Sequence, residues 1–482
     1  MSKKLISFIV LITFLFSGSW RIAQASNNNK QLVFLVFNSR DVYGTNVYKN
    51  VSYTLQKNGI ETVSWDLNKN EHLPPLDTYP ILGMVTEQLY SFNQDTVITI
   101  KDYVSKGGKL IQFIRGFSDD LSAIFDIDNK FSPTDVNIIG LQFIEDFFPG
   151  CRELALTGED LYDDGLNYAF SKSIRPIAVS TNNIPLLWES SYGKGKTLYW
   201  NCTALNTKAF RGFIVASVTR YLEVSARKVI GKSVMFVDDF PSSSWRAKLE
   251  PTFSELGQTD TDFYSKTLLS DLIGFNRDFA LRYSTVAVFN YNNVKEQPYT
   301  FLDWDSCIVN ENGVDVNVPE KMFKTLLGMP DTFEVGLHGY NHVQLTLEQW
   351  VQTYFMIGAL ASARDKWMSY SKNPPTFYVA PMNEIDQAGF GALRSIFPEI
   401  KTICTLYESD YQVGCNREFG LEPWDTTLVD IPRLTSGYYF SSYDRFLAYS
   451  TMEAFGIWTH FIHPDDIYSN PTNYPNLPVE WI

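Results

Sequence analysis

Short apolar runs separated by segments of helical spacing are what most constrain this chain. Residues 31–37 read Q-L-V-F-L-V-F without a polar interruption. A strand exposed on one face alternates apolar and polar residues, so an unbroken run predicts a strand buried on both faces of a parallel sheet. The pattern then repeats. Residues 46–58 have helical spacing and stop at Gly59, 60–67 and 80–85 are apolar again, 96–106 are amphipathic and close at Gly107-Gly108, and 109–114 form another run. Serial alternation of this kind predicts an open α/β sheet. Residues 116–171 are less legible, with acidic loops at Asp119-Asp120 and 159–164. Strands at 175–180, 185–190 and 192–200, with Gly193-Lys194-Gly195-Lys196 as a hairpin turn, and a helix over 208–223 complete a first domain spanning 30–225.

A second domain over 230–482 opens with Val234-Met235-Phe236-Val237 and runs straight into Asp238-Asp239-Phe240-Pro241. Strands are expected at 284–290, 333–337, 376–380, 400–406, 427–431 and 455–462. Helices are expected at 262–275, 319–327 and 386–396, with a long one over 346–368 whose Thr346 and Gln349 fit a capping box. Serial β/α units with polar residues at strand ends predict a (β/α) barrel with its chemistry at the C-terminal face. Only about twenty residues follow His463, too few for a closing helix, so a distorted, incomplete barrel is expected.

The N-terminus has the marks of a signal peptide over 1–25. Lys3 and Lys4 precede an apolar run at 5–16, and Ala23-Gln24-Ala25 is a small-x-small cleavage site. The run is too short for a comfortable membrane span, so the expectation is an exported protein, with an uncleaved anchor as the alternative. Losing the three cations Lys3, Lys4 and Arg21 takes the formal charge from −14 to −17. That balance argues against nucleic acid or an anionic membrane as partner, because phosphate recognition needs clustered Lys and Arg. The five cysteines (151, 202, 307, 404 and 415) include no C-x-x-C pair and suggest no thiolate zinc site. Cys404 and Cys415 form either a disulfide or two buried thiols.

Four of the five histidines fall in two short segments, each at the end of an apolar run: His338 and His342, then His460 and His463. A pair at i and i+4 shares one face if the turn is helical, and two imidazoles plus one carboxylate leave open positions on a catalytic metal. The pair lacks the Glu of H-E-x-x-H, so a zincin-type peptidase is not supported. Asp238-Asp239 can divide labour, one carboxylate ligating and the other acting as base. Each feature also has a plainer reading, as strand-end polar residues or satisfied core histidines.

In this order the segments resemble the polysaccharide deacetylases of carbohydrate esterase family 4, over about residues 230–470. The resemblance implies Asp238 as catalytic base and Asp239, His338 and His342 as ligands of a divalent metal, zinc for preference. It makes His463 the general acid, with His460 the less favoured choice. The family's Arg-Pro-Pro-Tyr-Gly motif aligns with Val379-Ala380-Pro381-Met382-Asn383, so Val379 replaces the arginine that orients the base. Pro381 and Asn383 keep supporting positions, and Arg433 in Asp430-Ile431-Pro432-Arg433 is a candidate to restore the charge. The first domain resembles the class I glutamine amidotransferase-like fold through L-x-x-Y-x-I-L at 76–82, Y-V-x-x-G-G-K-L at 103–110 and Y-G-K-G-K at 192–196. Arg115-Gly116 stands where that family places its nucleophilic cysteine, so amidotransferase chemistry is not expected.

Together these readings imply an exported, metal-dependent hydrolase of N- or O-acetyl groups on a polysaccharide. The alternative is a non-catalytic glycan-binding or assembly protein that keeps the barrel without turnover. Aromatic side chains such as Tyr438, Tyr439, Phe440 and Trp424 are candidates to stack on sugar rings, and core packing accounts for most others.

Overall fold

A computed structural model describes residues 31–70, 72–227, 229–409 and 412–468. The signal-peptide reading of 1–25 lies outside the described residues. The chain divides into two compact units, Met1–Gly231 with Tyr449–Gly456, and Lys232–Ala448 with Ile457–Ile482. The excursion Tyr449–Gly456 is tied into the first unit: Gly212 N donates to Ser450 Oγ at 2.9 Å, and Arg227 pairs with Glu453 at 2.7 Å.

The first unit contains strands β1 (Leu32–Phe37), β2 (Glu61–Asp66), β3 (Ile81–Val85), β4 (Lys109–Gln112), β5 (Thr134–Ile139), β6 (Leu141–Phe143), β7 (Ala155–Leu156), β8 (Tyr162–Asn167), β9 (Pro176–Val179), β10 (Pro185–Tyr192) and β11 (Gly195–Trp200). Nine of them form one sheet in the order β2-β1-β3-β4-β11-β10-β9-β6-β7, while β5 and β8 make a separate antiparallel ribbon. Pairing is parallel from β2 through β11 and antiparallel beyond it. The four inner residues of β1 are fully buried, which is why its run carries no alternation. The helix Val42–Lys57 starts earlier than its spacing suggests, because the Asp41 carboxylate caps it by accepting from Gly44 N at 2.8 Å. The expected helix over 208–223 is a 3₁₀ turn, Lys208–Phe210, followed by the shorter helix Arg211–Thr219. After β4, Arg115 turns its Nε to Glu87 Oε1 at 2.7 Å.

The second unit contains β12 (Lys232–Val237), β13 (Tyr283–Ala287), β14 (Ile308–Glu311), β15 (Val314–Asn317), β16 (Phe333–Leu337), β17 (Phe377–Val379), β18 (Thr402–Cys404), β19 (Gly420–Leu421), β20 (Val429–Asp430), β21 (Thr435–Ser436) and β22 (Ile457–Ile462). Its main sheet runs β19-β20-β18-β17-β16-β13-β12-β22-β21, parallel at every step except β19 to β20. A parallel bridge between Leu406 and Arg433 joins the segment after β18 to the segment before β21. Arg433 N donates to Thr405 O at 2.8 Å there, and Tyr407 N donates to Arg433 O at 3.0 Å. Trp304, Phe323, Trp367 and Tyr378 are fully buried in the core beside this sheet.

One local expectation needs correction, one open choice is decided, and one helix is added. The helix expected over 346–368 is two helices, Leu347–Trp350 and Thr353–Tyr370, because Val351 takes φ +63° between them. Thr346 therefore caps only the short first piece. Cys404 and Cys415 are free thiols, and Cys415 Sγ donates to Asn383 O at 2.9 Å. The helix Ser442–Phe455, which the apolar pattern did not reveal, precedes β22. Among the described residues, no helix is long and apolar enough to cross a membrane.

Candidate metal centre

Asp238, Asp239, His338 and His463 sit just past the C-terminal ends of parallel strands of one sheet, where open α/β sheets place their ligands. Asp238 and Asp239 follow β12, His338 follows β16, and His463 follows β22. Backbone pairing fixes two of these positions, since Asp238 N donates to Ile462 O and His338 N to Ala287 O, both at 2.9 Å.

His338 and His342 are brought together without a helical turn. The chain leaves β16 into a loop in which Gly339 takes φ +109°, a conformation that glycine alone adopts freely. His342 N then donates to Asn290 O at 3.2 Å, and the two imidazole centroids lie 5.1 Å apart. Asp239, itself at φ +54°, faces both rings: Oδ1 is 3.6 Å from His338 Nε2 and Oδ2 is 3.8 Å from His342 Nε2. One donor atom from each of the three residues lies within 4.8 Å of the other two.

Hydrogen bonding fixes the His338 tautomer. Nδ1 lies 2.9 Å from Val379 O, and a carbonyl only accepts, so Nδ1 carries the proton. The Nε2 lone pair is left facing Asp239 Oδ1, a buried oxygen with no hydrogen-bond donor. Burial lowers the His338 pKa, against the opposing pull of Asp239 and Asp238, to about 4, so the ring is neutral at physiological pH. Two lone pairs facing each other without a proton are electrostatically unfavourable, and a cation between them removes the conflict. The donor set of two imidazoles and one carboxylate fits a divalent ion such as zinc.

Asp238 is 1% exposed. Burial alone would raise its pKa, but the Arg433 guanidinium, helped by His463, holds it below the usual carboxylate value. Arg433 Nη1 donates to Asp238 Oδ2, Nη2 donates to Asn383 Oδ1, and the guanidinium carbon stands 3.9 Å from the centroid of the Phe461 ring. His463 Nε2 is 3.8 Å from Asp238 Oδ2, and its Nδ1 is 3.4 Å from Asp466 Oδ1. Asp466 Oδ2 also accepts from His463 N at 2.8 Å, so one carboxylate holds both backbone and ring. Burial alone would lower the His463 pKa; Asp466, Asp238 and Asp239 raise it to about 9.

His460 is turned to a different task. Nε2 lies 2.8 Å from Gly437 O and must donate, leaving Nδ1 to accept from Thr435 Oγ1 at 2.9 Å. Its ring stacks on Phe440 and Trp458, and burial lowers its pKa. Pro381 is buried behind the Gly339 turn, and Asn383 meets Arg433 rather than the histidine pair. Trp424 packs on Phe390 and Arg417, while Phe440 is committed to His460. Sequence reading passed over Asp466, although it stands in the same His-Pro-Asp-Asp string as His463. Tyr291, whose ring centroid lies 5.8 Å from that of His342, carried no sequence signal at all.

The structure thus defines a mixed α/β protein with two large sheets containing parallel strands and a histidine–carboxylate cluster at strand ends. The chain belongs to the family described as "Uncharacterised protein conserved in bacteria (DUF2194)", whose model matches residues 100–476. No curated protein matches it significantly. Among solved structures, a beta-galactosidase from Bacillus circulans sp. alkalophilus is similar at 11% identity and TM-score 0.29, over 41% of this chain and 31% of the galactosidase. A candidate polysaccharide deacetylase from Mycobacterium smegmatis is similar at 15% identity and TM-score 0.32, over 52% of this chain and 85% of its own. A family 4 acetyl xylan esterase from Clostridium thermocellum, in complex with a cobalt ion, is similar at 10% identity and TM-score 0.25, over 51% of this chain and 77% of its own. Similarities this low transfer no activity.

Proposed function

We propose that the protein is an exported, metal-dependent hydrolase that removes N- or O-acetyl groups from a polysaccharide. On this reading the second unit is a distorted barrel of polysaccharide deacetylase type, and the first is a non-catalytic amidotransferase-like domain. The observation that carries the reading is the facing of Asp239 Oδ1, buried and without a donor, and the His338 Nε2 lone pair.

Asp239, His338 and His342 would hold the cation. When bound there, a divalent ion such as zinc supplies Lewis acidity toward an acetyl carbonyl and toward water. Asp238, kept ionised by Arg433, is the base that accepts the proton of the attacking water on its carboxylate. Arg433 replaces in charge the arginine absent at Val379, and its second amino group, bonded to Asn383, fixes the guanidinium plane. His463, kept protonated by Asp466, faces Asp238 and is the acid that returns a proton to the leaving amine or alkoxide.

In the alternative, a non-catalytic glycan-binding protein, Asp238 and His463, 3.8 Å apart, serve only as a structural ion pair. Acetate release from acetylated oligosaccharides by zinc-loaded protein, and its loss in Asp238→Asn, is the discriminating experiment. Full acetate release by Asp238→Asn would defeat the assignment of the base.

A further inference from the structure

Trp245 presents an exposed aromatic face beside the metal-centre cluster, on a loop that the fold holds rigid. Its side chain is 64% exposed, and its ring centroid lies 5.3 Å from that of Tyr291, which in turn lies 5.8 Å from that of His342. An exposed indole is not unusual by itself. What distinguishes this one is its anchoring. The buried Asp260 carboxylate accepts from Trp245 N at 2.9 Å and from Ala247 N at 2.8 Å. Thr261, also buried, takes a hydrogen bond from Arg246 N at 3.2 Å and pairs with Ser244 Oγ at 2.8 Å. Four consecutive residues are thus pinned around an indole that the core does not use. Arg246, at φ +56°, adds a strained conformation held by the same contacts.

A flat, pre-ordered aromatic face binds ligands with a flat apolar face of their own and loses little conformational entropy in doing so. A pyranose ring offers such a face through its axial C–H groups, whereas a short acyl ester does not. We infer that Trp245, backed by Tyr291, is a stacking subsite for a pyranose ring of a sugar chain whose acetyl group lies at the Asp239–His338–His342 cluster. The inference rests on the hydrolytic reading above for the reaction but not for the binding. It makes Trp245 a specificity-determining residue that acts on sugar-chain affinity.

The test uses full-length, zinc-loaded protein and two probes, fully N-acetylated chitotetraose and O-acetylated xylotetraose. Each is titrated calorimetrically into wild type, Trp245→Ala and Trp245→Phe, and acetate release is followed against oligosaccharide concentration. The expected result is that at least one probe binds wild type, and that Trp245→Ala raises its Kd and its KM by about tenfold with a much smaller change in kcat. Trp245→Phe, which keeps an aromatic face, should recover most of the loss. Equal Kd values in wild type and Trp245→Ala, or no binding of either probe to wild type, would overturn the subsite. Binding that depends on Trp245 without acetate release would uphold the subsite and defeat the hydrolytic reading. Acetate release with an unaltered KM in Trp245→Ala would do the reverse.

Discussion

Arg433 donates to the carboxylate of Asp238 across 195 positions of sequence, and both side chains are almost completely buried. Neither charge has solvent to fall back on, so each depends on the other. Removing one partner of a buried pair strands the other and costs about 3–5 kcal/mol. Arg433→Met should therefore destabilise the protein by roughly that amount in urea unfolding. The double variant Arg433→Met with Asp238→Leu should regain much of the loss, because it removes the stranded charge. A single variant as stable as wild type would mean that Asp238 is neutral in the native protein.

His463 gives the pH dependence a sign. Burial opposes its protonation, but Asp466, Asp238 and Asp239 outweigh it and raise the pKa to about 9. A group whose folded pKa is raised contributes stability in full below its ordinary value, and that contribution is lost as pH rises through the folded value. Acetate release that needs the His463 proton should accordingly fall on an alkaline limb near pH 9. Asp466→Asn should move that limb to lower pH, and His463→Ala should lower kcat by about a hundredfold or more. An alkaline limb that Asp466→Asn leaves in place would assign it to another group.

His460 should behave as a structural residue. Both ring nitrogens are bonded, to Thr435 and Gly437, and its faces are covered by Phe440 and Trp458. His460→Ala should cost about 1–3 kcal/mol of stability, since it leaves the Gly437 carbonyl without its ring donor and removes the ring stacked on Phe440 and Trp458. The kcat of the folded variant should stay within about twofold of wild type, because His460 supplies no proton to the proposed reaction. A large fall in kcat at unchanged stability would make His460 the acid instead of His463.

These residues also show which parts of the molecule could be read from the chain. The strand 333–337 was legible because an apolar run between turn residues has few alternatives, and β16 spans those five residues. The break at Val351 was not, since a β-branched residue at positive φ defies local preference and is imposed by its surroundings. The segment 262–275 read as one helix, whereas Phe263–Leu268 is wound as a π-helix before Leu269–Phe279. Periodicity cannot separate those windings over so short a stretch. At the centre, the histidine spacing was visible but the means of joining the rings was not: a glycine turn, not a helix, brings them together. The role of Val379 was hidden for a related reason. Only its backbone carbonyl acts, holding His338 Nδ1, and a carbonyl leaves no mark in sequence. Arg433 could be marked as a candidate replacement for the arginine beside the base, whereas the way it is delivered could not be, because that depends on tertiary pairing of Leu406 with Arg433.

The most direct test is a metal count on purified protein, made by mass spectrometry after dialysis, on wild type, Asp239→Ala, His338→Ala and Asp238→Asn. Facing lone pairs on Asp239 and His338 predict about one equivalent of zinc or a similar divalent ion in wild type. That metal should be lost in Asp239→Ala and His338→Ala. Asp238→Asn should keep its metal and lose acetate release, separating the ligand from the base. Wild type without metal, or metal retained in both ligand variants, would contradict the account.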